Sequence, residues 1–210
     1  MNTIIESLNW RYATKKYDAT RKVSENDLSL LKEAVRLSVS SIGLQPYKVI
    51  IIENPAIRER LKASAYGQSA ITDASHLFVF ANEVNIGEKQ VEAYLANITN
   101  TRGISRENLN DFATMIYGSI NNMTPEQKNI WTSKQTYIAL STLINIAAYL
   151  NIDATPMEGF NSAEFNSILG LDEMGLNTSV IATIGYRHPQ DTFQNLKKVR
   201  KPASDFFIKM

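Results

Sequence analysis

Cysteine is absent from this chain of 210 residues, which excludes disulfides, thiolate zinc sites, iron–sulfur ligation and a cysteine nucleophile together. Histidine is nearly as scarce. His76 and His188 are the only two, so a histidine-rich metal centre is not expected, nor any other metal site. An excess of one charge is also lacking: 22 Lys and Arg face 21 Asp and Glu, a formal net charge of +1. That balance gives no drive toward nucleic acid or an acidic membrane. Long hydrophobic runs are missing. The most apolar stretch, Tyr137 to Leu150, is interrupted by Ser141, Thr142 and Asn145 and falls short of the ~20 residues a bilayer span needs. Met1-Asn2-Thr3-Ile4-Ile5-Glu6 has no basic region leading into an apolar run, so no signal peptide is expected and the compartment reads as the cytoplasm. Neither G-x-G-x-x-G nor G-x-x-x-x-G-K occurs, which excludes a Rossmann dinucleotide fingerprint and a P-loop.

What is present alternates between helical and strand periods. Ile4, Ile5 and Leu8 predict one face of a short first helix. Ser24 with Asp27 three residues later predicts a capped helix carrying Leu28, Leu31 and Val35. Val49-Ile50-Ile51-Ile52, β-branched and continuous, predicts a strand buried on both faces. Asn54-Pro55 opens a helix with Ile57 and Leu61 on one side. His76 to Phe80 reads as a second strand, with His76 a packed, hydrogen-bonded core residue rather than a catalyst. Glu88 to Asn122 reads as helical, with Leu109, Phe112, Ile116 and Ile120 on one face.

Thr124-Pro125-Glu126-Gln127 is a strong helix start, a threonine cap with proline at N1 and glutamine at N3. The helix it opens should run to about Leu150, roughly 39 Å, with a second half apolar almost all round and hence central to a domain or a dimer. Asp153–Met157 and Val180–Ile184 read as further strands, and Asn161 with Glu164 caps a helix stopped by Gly170. No repeat or linker is visible, so residues 1–210 are expected to form one α+β domain. The tail ends in Phe206-Phe207-Ile208, which a compact monomer would not leave exposed.

Four segments stand out in order along the chain. They are Arg11-Tyr12-Ala13-Thr14-Lys15, Ser40-Ser41-Ile42-Gly43-Leu44-Gln45-Pro46-Tyr47, Pro156-Met157-Glu158-Gly159 and Lys198-Val199-Arg200. The two basic clusters can converge on one anion only if the fold closes its beginning on its end. Taken singly, each segment also reads blandly, as solvated charge or as an ordinary turn.

Together they resemble the FMN-dependent nitroreductase family, whose signature runs R-x-[ST]-x-[KR], S-x-x-x-x-Q-P-[WY], P-x-E-G and K-x-R. The resemblance extends from about Ile4 to Pro202. It implies a three-layer α+β fold, a central, mostly antiparallel sheet flanked by helices, with C-terminal segments exchanged in a homodimer. It implies FMN as cofactor and NAD(P)H as co-substrate. Arg11, Lys198 and Arg200 would bind the phosphate, with Tyr12 and Ala13 alongside; Ala13 stands where the family has Ser or Thr and offers only its backbone amide. Lys15 would face the flavin pyrimidine edge. Ser40, Ser41 and Ile42 would reach the flavin of the other subunit.

The same resemblance places Pro156 and Met157 against the ring, with the Glu158 and Gly159 N–H groups toward N5 and O4, so no side chain acts as catalytic acid or base. In Gly67-Gln68-Ser69, Gln68 stands for an asparagine that bonds the pyrimidine edge, and the family's neighbouring lysine has no counterpart. Tyr117 is the candidate for shaping the acceptor pocket. The implied activity is ping-pong reduction of nitroaromatics, quinones or related small molecules by hydride transfer through N5. The competing class is a flavin-binding or sensing protein without turnover; a dimeric nucleic-acid binder using the two basic clusters is disfavoured by the near-neutral charge.

Overall fold

The computed structural model describes residues 3–210. Helix α1 (Ile4–Trp10) begins at Thr3, whose hydroxyl accepts from the Glu6 N–H while the Glu6 carboxylate accepts from the Thr3 N–H. After an extended segment, α2 (Glu25–Arg36) starts at the predicted Ser24 cap. Strand β1 (Tyr47–Ile52) leads into α3 (Pro55–Ala63), whose Asn54 cap accepts from the Ala56 and Ile57 N–H groups. A single turn, α4 (Ala70–Asp73), precedes β2 (His76–Glu83). The polar stretch that follows is two helices, α5 (Glu88–Arg102) and α6 (Asn110–Asn121). They part at Gly103, which takes the left-handed conformation (φ 64°) that ends helices cheaply only at glycine.

Helix α7 (Pro125–Tyr149) has the predicted capping box at Thr124 and Gln127 and spans about 38 Å. Strand β3 (Asp153–Met157), α8 (Ser162–Leu169), β4 (Leu176–Gly185) and the short α9 (Ala203–Phe206) complete the order.

The strands form one antiparallel sheet in the order β1-β2-β4-β3. Helices α2 and α7 cover one face, with Leu28, Leu31, Leu140 and Leu143 packed on Phe78, Phe80 and Val180. Helices α3 and α8 cover the other, with Leu61 and Phe165 against Leu77, Val79 and Ile181. This is the expected three-layer α+β arrangement. Helices α5 and α6 bury Val91, Leu95, Ile116 and Ile120 in a separate core together with Leu44.

Two expectations are corrected. Val49, Ile50 and Ile51 are only half-buried, because β1 is an edge strand with one side unpaired. Within one chain the second half of α7 is not central on every side, which removes the single-domain form of that expectation: Ala139, Leu140 and Leu143 face the sheet, whereas Tyr137 and Ile138 are exposed. Ile4 (73%) and Ile5 (66%) of α1 are exposed too, as are Phe206 (65%), Phe207 (71%) and Ile208 (85%) of the tail. None of the helices among the described residues is long and apolar enough to cross a membrane.

Candidate cofactor site

Residues 11–17 have no helix or strand of their own and are held by long-range polar contacts. The Thr14 hydroxyl donates to Asp153 Oδ1 (3.1 Å), and the Thr155 hydroxyl donates to the Thr14 carbonyl (3.0 Å). Tyr17, buried, donates to Thr155 Oγ1 and to the Thr183 carbonyl. Its ring lies so close to Gly185 that a Cβ there would come within 3.0 Å of it.

Two carboxylates organise the rest. Asp153 pairs with Arg187, whose Nη2 lies 2.7 Å from Oδ1, and the guanidinium sits between the rings of Trp10 (4.1 Å) and Tyr12 (4.6 Å). Asp191 accepts from the Tyr12 hydroxyl (2.9 Å) and from the N–H groups of Lys15 (2.8 Å), Lys16 (3.1 Å) and Phe193 (3.1 Å). Burial works to raise the Asp191 carboxyl, but these donors outweigh it and hold it below the usual carboxylate range.

The chain's late basic cluster closes on this segment, as convergence on one anion requires. Lys198 Nζ donates to the Leu8 carbonyl (2.7 Å) and to the Arg11 carbonyl, capping the last turn of α1. Two of its three donors are thereby committed, and one remains for a ligand. Arg11 and Lys198 are each shifted toward the neutral form, first by burial and then by the neighbouring cations, Arg200 for Arg11 and both arginines for Lys198. Arg11 Nε is buried with no hydrogen-bond partner among the described residues. Arg200 thus adds positive charge beside two cations that already lie close together, one of them with an orphaned donor. Lys15 is exposed, its Nζ 5.7 Å from the centre of the Phe193 ring, and Ala13 is half-buried beside it.

Strand β3 carries this region to the Pro156–Gly159 turn. Met157 is buried under α3 and α8 with Leu61 and Phe165, so its side chain is not available to a flavin ring, contrary to expectation. Adjacent strand residues point to opposite faces, and Pro156, half-buried, lies on the other one. Glu158 and Gly159 are exposed. The Tyr137 hydroxyl of α7 donates to Glu158 Oε1 (2.5 Å); burial first, and then this bond, push the phenol up to about 12. Gln68 is at the turn but not as expected. Its Nε2 donates to the Ala65 carbonyl (3.0 Å) and the Gly159 carbonyl (2.7 Å), so both amide donors already serve the protein.

Ser40, Ser41 and Ile42 are not brought to this cluster within one chain. The Ser41 N–H donates to Gln135 Oε1 (2.8 Å), whereas Glu158 is held by Tyr137. Residues two apart on a helix point about 200° from each other, so the two segments sit on opposite sides of α7. Ile42 is left-handed (φ 62°), an outlier for a β-branched residue, and Gly43 (φ 78°) and Gln45 (φ 46°) follow suit. The Tyr94 hydroxyl holds this turn by donating to the Ile42 carbonyl (2.8 Å).

Tyr117 is a strut between α5 and α6. Its hydroxyl donates to Glu92 (2.6 Å), which also pairs with Arg106 (3.0 Å). His76 is buried against Ser75 Oγ (2.9 Å), and burial lowers its pKa, as expected of a packed residue. Asp153, Arg187 and Asp191 escaped the sequence reading. Apart from the Phe193 N–H beside Asp191, the hydrogen-bond partners that mark them lie 34 to 179 residues away.

A profile of the nitroreductase family matches residues 8–186. The major NAD(P)H-flavin oxidoreductase of Aliivibrio fischeri is 35% identical over 209 residues, covering 96% of each chain. Among solved structures, one from Exiguobacterium sibiricum, assigned to the nitroreductases and determined in complex with FMN, superposes with a TM-score of 0.84 at 16% identity over 100% of this chain and 98% of that one. A nitroreductase family protein of Streptococcus pneumoniae gives 0.80 at 17% identity over 99% and 100%. Profile, sequence relative and fold agree with the order of the four segments: the chain belongs to the nitroreductase family.

Proposed function

We propose that this chain is an FMN-dependent NAD(P)H oxidoreductase that reduces small-molecule acceptors such as nitroaromatics, quinones or free flavins. The observation that carries it is the uncompensated cation cluster of Arg11, Lys198 and Arg200, with its buried and unpartnered Arg11 Nε. A phosphate monoester fits that cluster in charge and in donor geometry. Lys15, pinned at its backbone by Asp191 and with its ammonium held only over the Phe193 ring, would stand at the pyrimidine edge. The exposed Glu158–Gly159 turn would offer its amides to N5 and O4. FMN, when bound, supplies the two-electron carrier between a reduced nicotinamide and the acceptor; the protein binds, orients and tunes it. The chain has no dinucleotide fingerprint, so donor and acceptor would visit one open face in turn, which is ping-pong kinetics.

The placement of Ser40–Ile42 across α7 from Glu158 favours a site shared between two copies of the chain. So do the exposed Ile4, Ile5 and Tyr137 and the apolar tail. A groove of about 1020 Å³ beside β1 joins an apolar floor of Val35, Tyr47, Val49 and Ile51 to charged walls that include Lys32, Arg36 and Lys89, and would seat Phe206-Phe207-Ile208 of a second copy on that floor.

The test is the visible spectrum of the purified protein, expected to show an oxidised flavin band that bleaches on adding NAD(P)H. A flavin band indifferent to both nicotinamides would instead favour a binding or sensing role. Arg11→Ala with Arg200→Ala should lose most of the FMN, each charge-assisted bond contributing ~1.5–3 kcal/mol, or roughly ten- to over a hundredfold in affinity. Unchanged FMN content in the double variant would remove the phosphate assignment.

A further inference from the structure

Both amide donors of Gln68 are committed to carbonyls, one of them in the turn that follows β3. We propose that Gln68 is a positioning residue that orients the Gly159 N–H for a ligand through the Gly159 carbonyl. The inference rests on the cofactor reading above.

The argument is one of peptide planes. The Gly159 carbonyl and the Phe160 N–H belong to the same planar unit and point in opposite directions across it. Gln68 Nε2 holds the carbonyl end at 2.7 Å. The N–H end is thereby aimed back at the Glu158 carbonyl, to which it donates at 2.9 Å. That bond fixes the preceding plane, which carries the Glu158 carbonyl at one edge and the Gly159 N–H at the other. With the carbonyl held toward Phe160, the Gly159 N–H must point away, and it finds no hydrogen-bond partner among the described residues. Released from Gln68, the first plane can rotate, and the second follows.

The packing agrees. A Cβ on Gly159 would meet Gln68 Nε2 at 3.5 Å and Tyr66 Cδ2 at 3.9 Å, ordinary contacts, so the protein's own interior does not demand glycine here. The Ala65 carbonyl fixes the Gln68 amide from the other side, and Tyr66 (φ 54°) and Gly67 (φ 72°) bend the chain to bring it there. Tyr66, left-handed despite its side chain, makes this turn costly, and its product is one aimed carboxamide.

The experiment uses the 15N-labelled full chain with and without FMN and reads solvent exchange of the Gly159 amide by NMR, alongside FMN affinity. In the unaltered protein FMN should slow that exchange. In Gln68→Met, FMN affinity should fall by no more than that one hydrogen bond contributes, about three- to tenfold, because the cation cluster is untouched. The slowing should shrink by roughly three- to tenfold, the weight of one hydrogen bond. Gln68→Glu, which at neutral pH can only accept and would face two carbonyl oxygens, should lose at least as much. Tyr66→Ala, which removes packing but no donor, should keep the slowing. Equal slowing in Gln68→Met overturns the inference, and so does a loss in Tyr66→Ala matching that in Gln68→Met. Tight FMN binding to the unaltered chain without protection of Gly159 overturns it while leaving the cofactor reading intact. No FMN binding at all overturns both.

Discussion

Asp191 gathers four donors from two parts of the chain, and it shows how a single carboxylate can shape a site it does not enter. Its pKa in the fold lies below the unfolded value of about 3.9, so its stabilisation is complete above that value and is lost as pH falls through the lower, folded pKa. Urea midpoints measured against pH should therefore fall steeply on the acid side for the native sequence. Asp191→Asn should start from a lower plateau and fall less steeply; parallel curves would show that Asp191 contributes nothing to this slope. The residue was illegible in the sequence for a physical reason. His188-Pro189-Gln190-Asp191 reads locally as a turn, and a turn is what its Phe193 contact makes, while its other partners are 175 to 179 residues earlier. Arg11, Lys198 and Arg200 each read alone as solvated charge, and only the order of the four segments picked them out as candidates. Gln68 was singled out by its place beside Gly67, but that both its amide donors are taken shows only with the Ala65 and Gly159 carbonyls.

At the scale of elements, the turn Ser41–Gly43 carries backbone strain at the left-handed Ile42 (φ 62°). Tyr94 Oη lies 2.6 Å from where a Gly43 Cβ would be, and its hydroxyl also secures Ile42. Gly43→Ala should cost ~1–3 kcal/mol, from the left-handed backbone and the displaced phenol together. In a Tyr94→Phe background the same substitution should cost less, since the obstructing oxygen is gone. Chemical denaturation of the four proteins of this cycle checks it, and strictly additive losses would exclude the coupling. The helices were readable because their starts are local: Ser24, Asn54, Thr124 and Asn161 all cap as their side chains dictate. The break at Gly103 and the left-handed Ile42 were not, because one depends on where α5 and α6 pack and the other runs against the preference of its own side chain. Likewise Val49–Ile51 gave the strand but not its place at the edge, which only the pairing order decides.

For the whole molecule, the decisive question is how much of the site one chain builds. Removing residues from Pro202 onward leaves Lys198 and Arg200 in place and deletes the exposed Phe206, Phe207 and Ile208. If that tail straps a second copy, the truncated protein should dissociate and lose FMN occupancy together, since anything that binds only the assembled form stabilises it. Sedimentation and flavin absorbance on one sample decide this; a truncated monomer fully loaded with FMN would place the site within a single chain. The closure of Lys198 onto the Leu8 and Arg11 carbonyls has a further consequence, in time rather than in space. The two halves of the cation cluster are made 187 residues apart, which at ribosomal speeds of ~5–20 residues per second is a delay of roughly ten to forty seconds. Throughout it the early segment has neither Asp191 nor Lys198 to hold it; if that cluster takes the FMN phosphate as proposed, a nascent chain cannot capture the cofactor, and a prematurely terminated one never can.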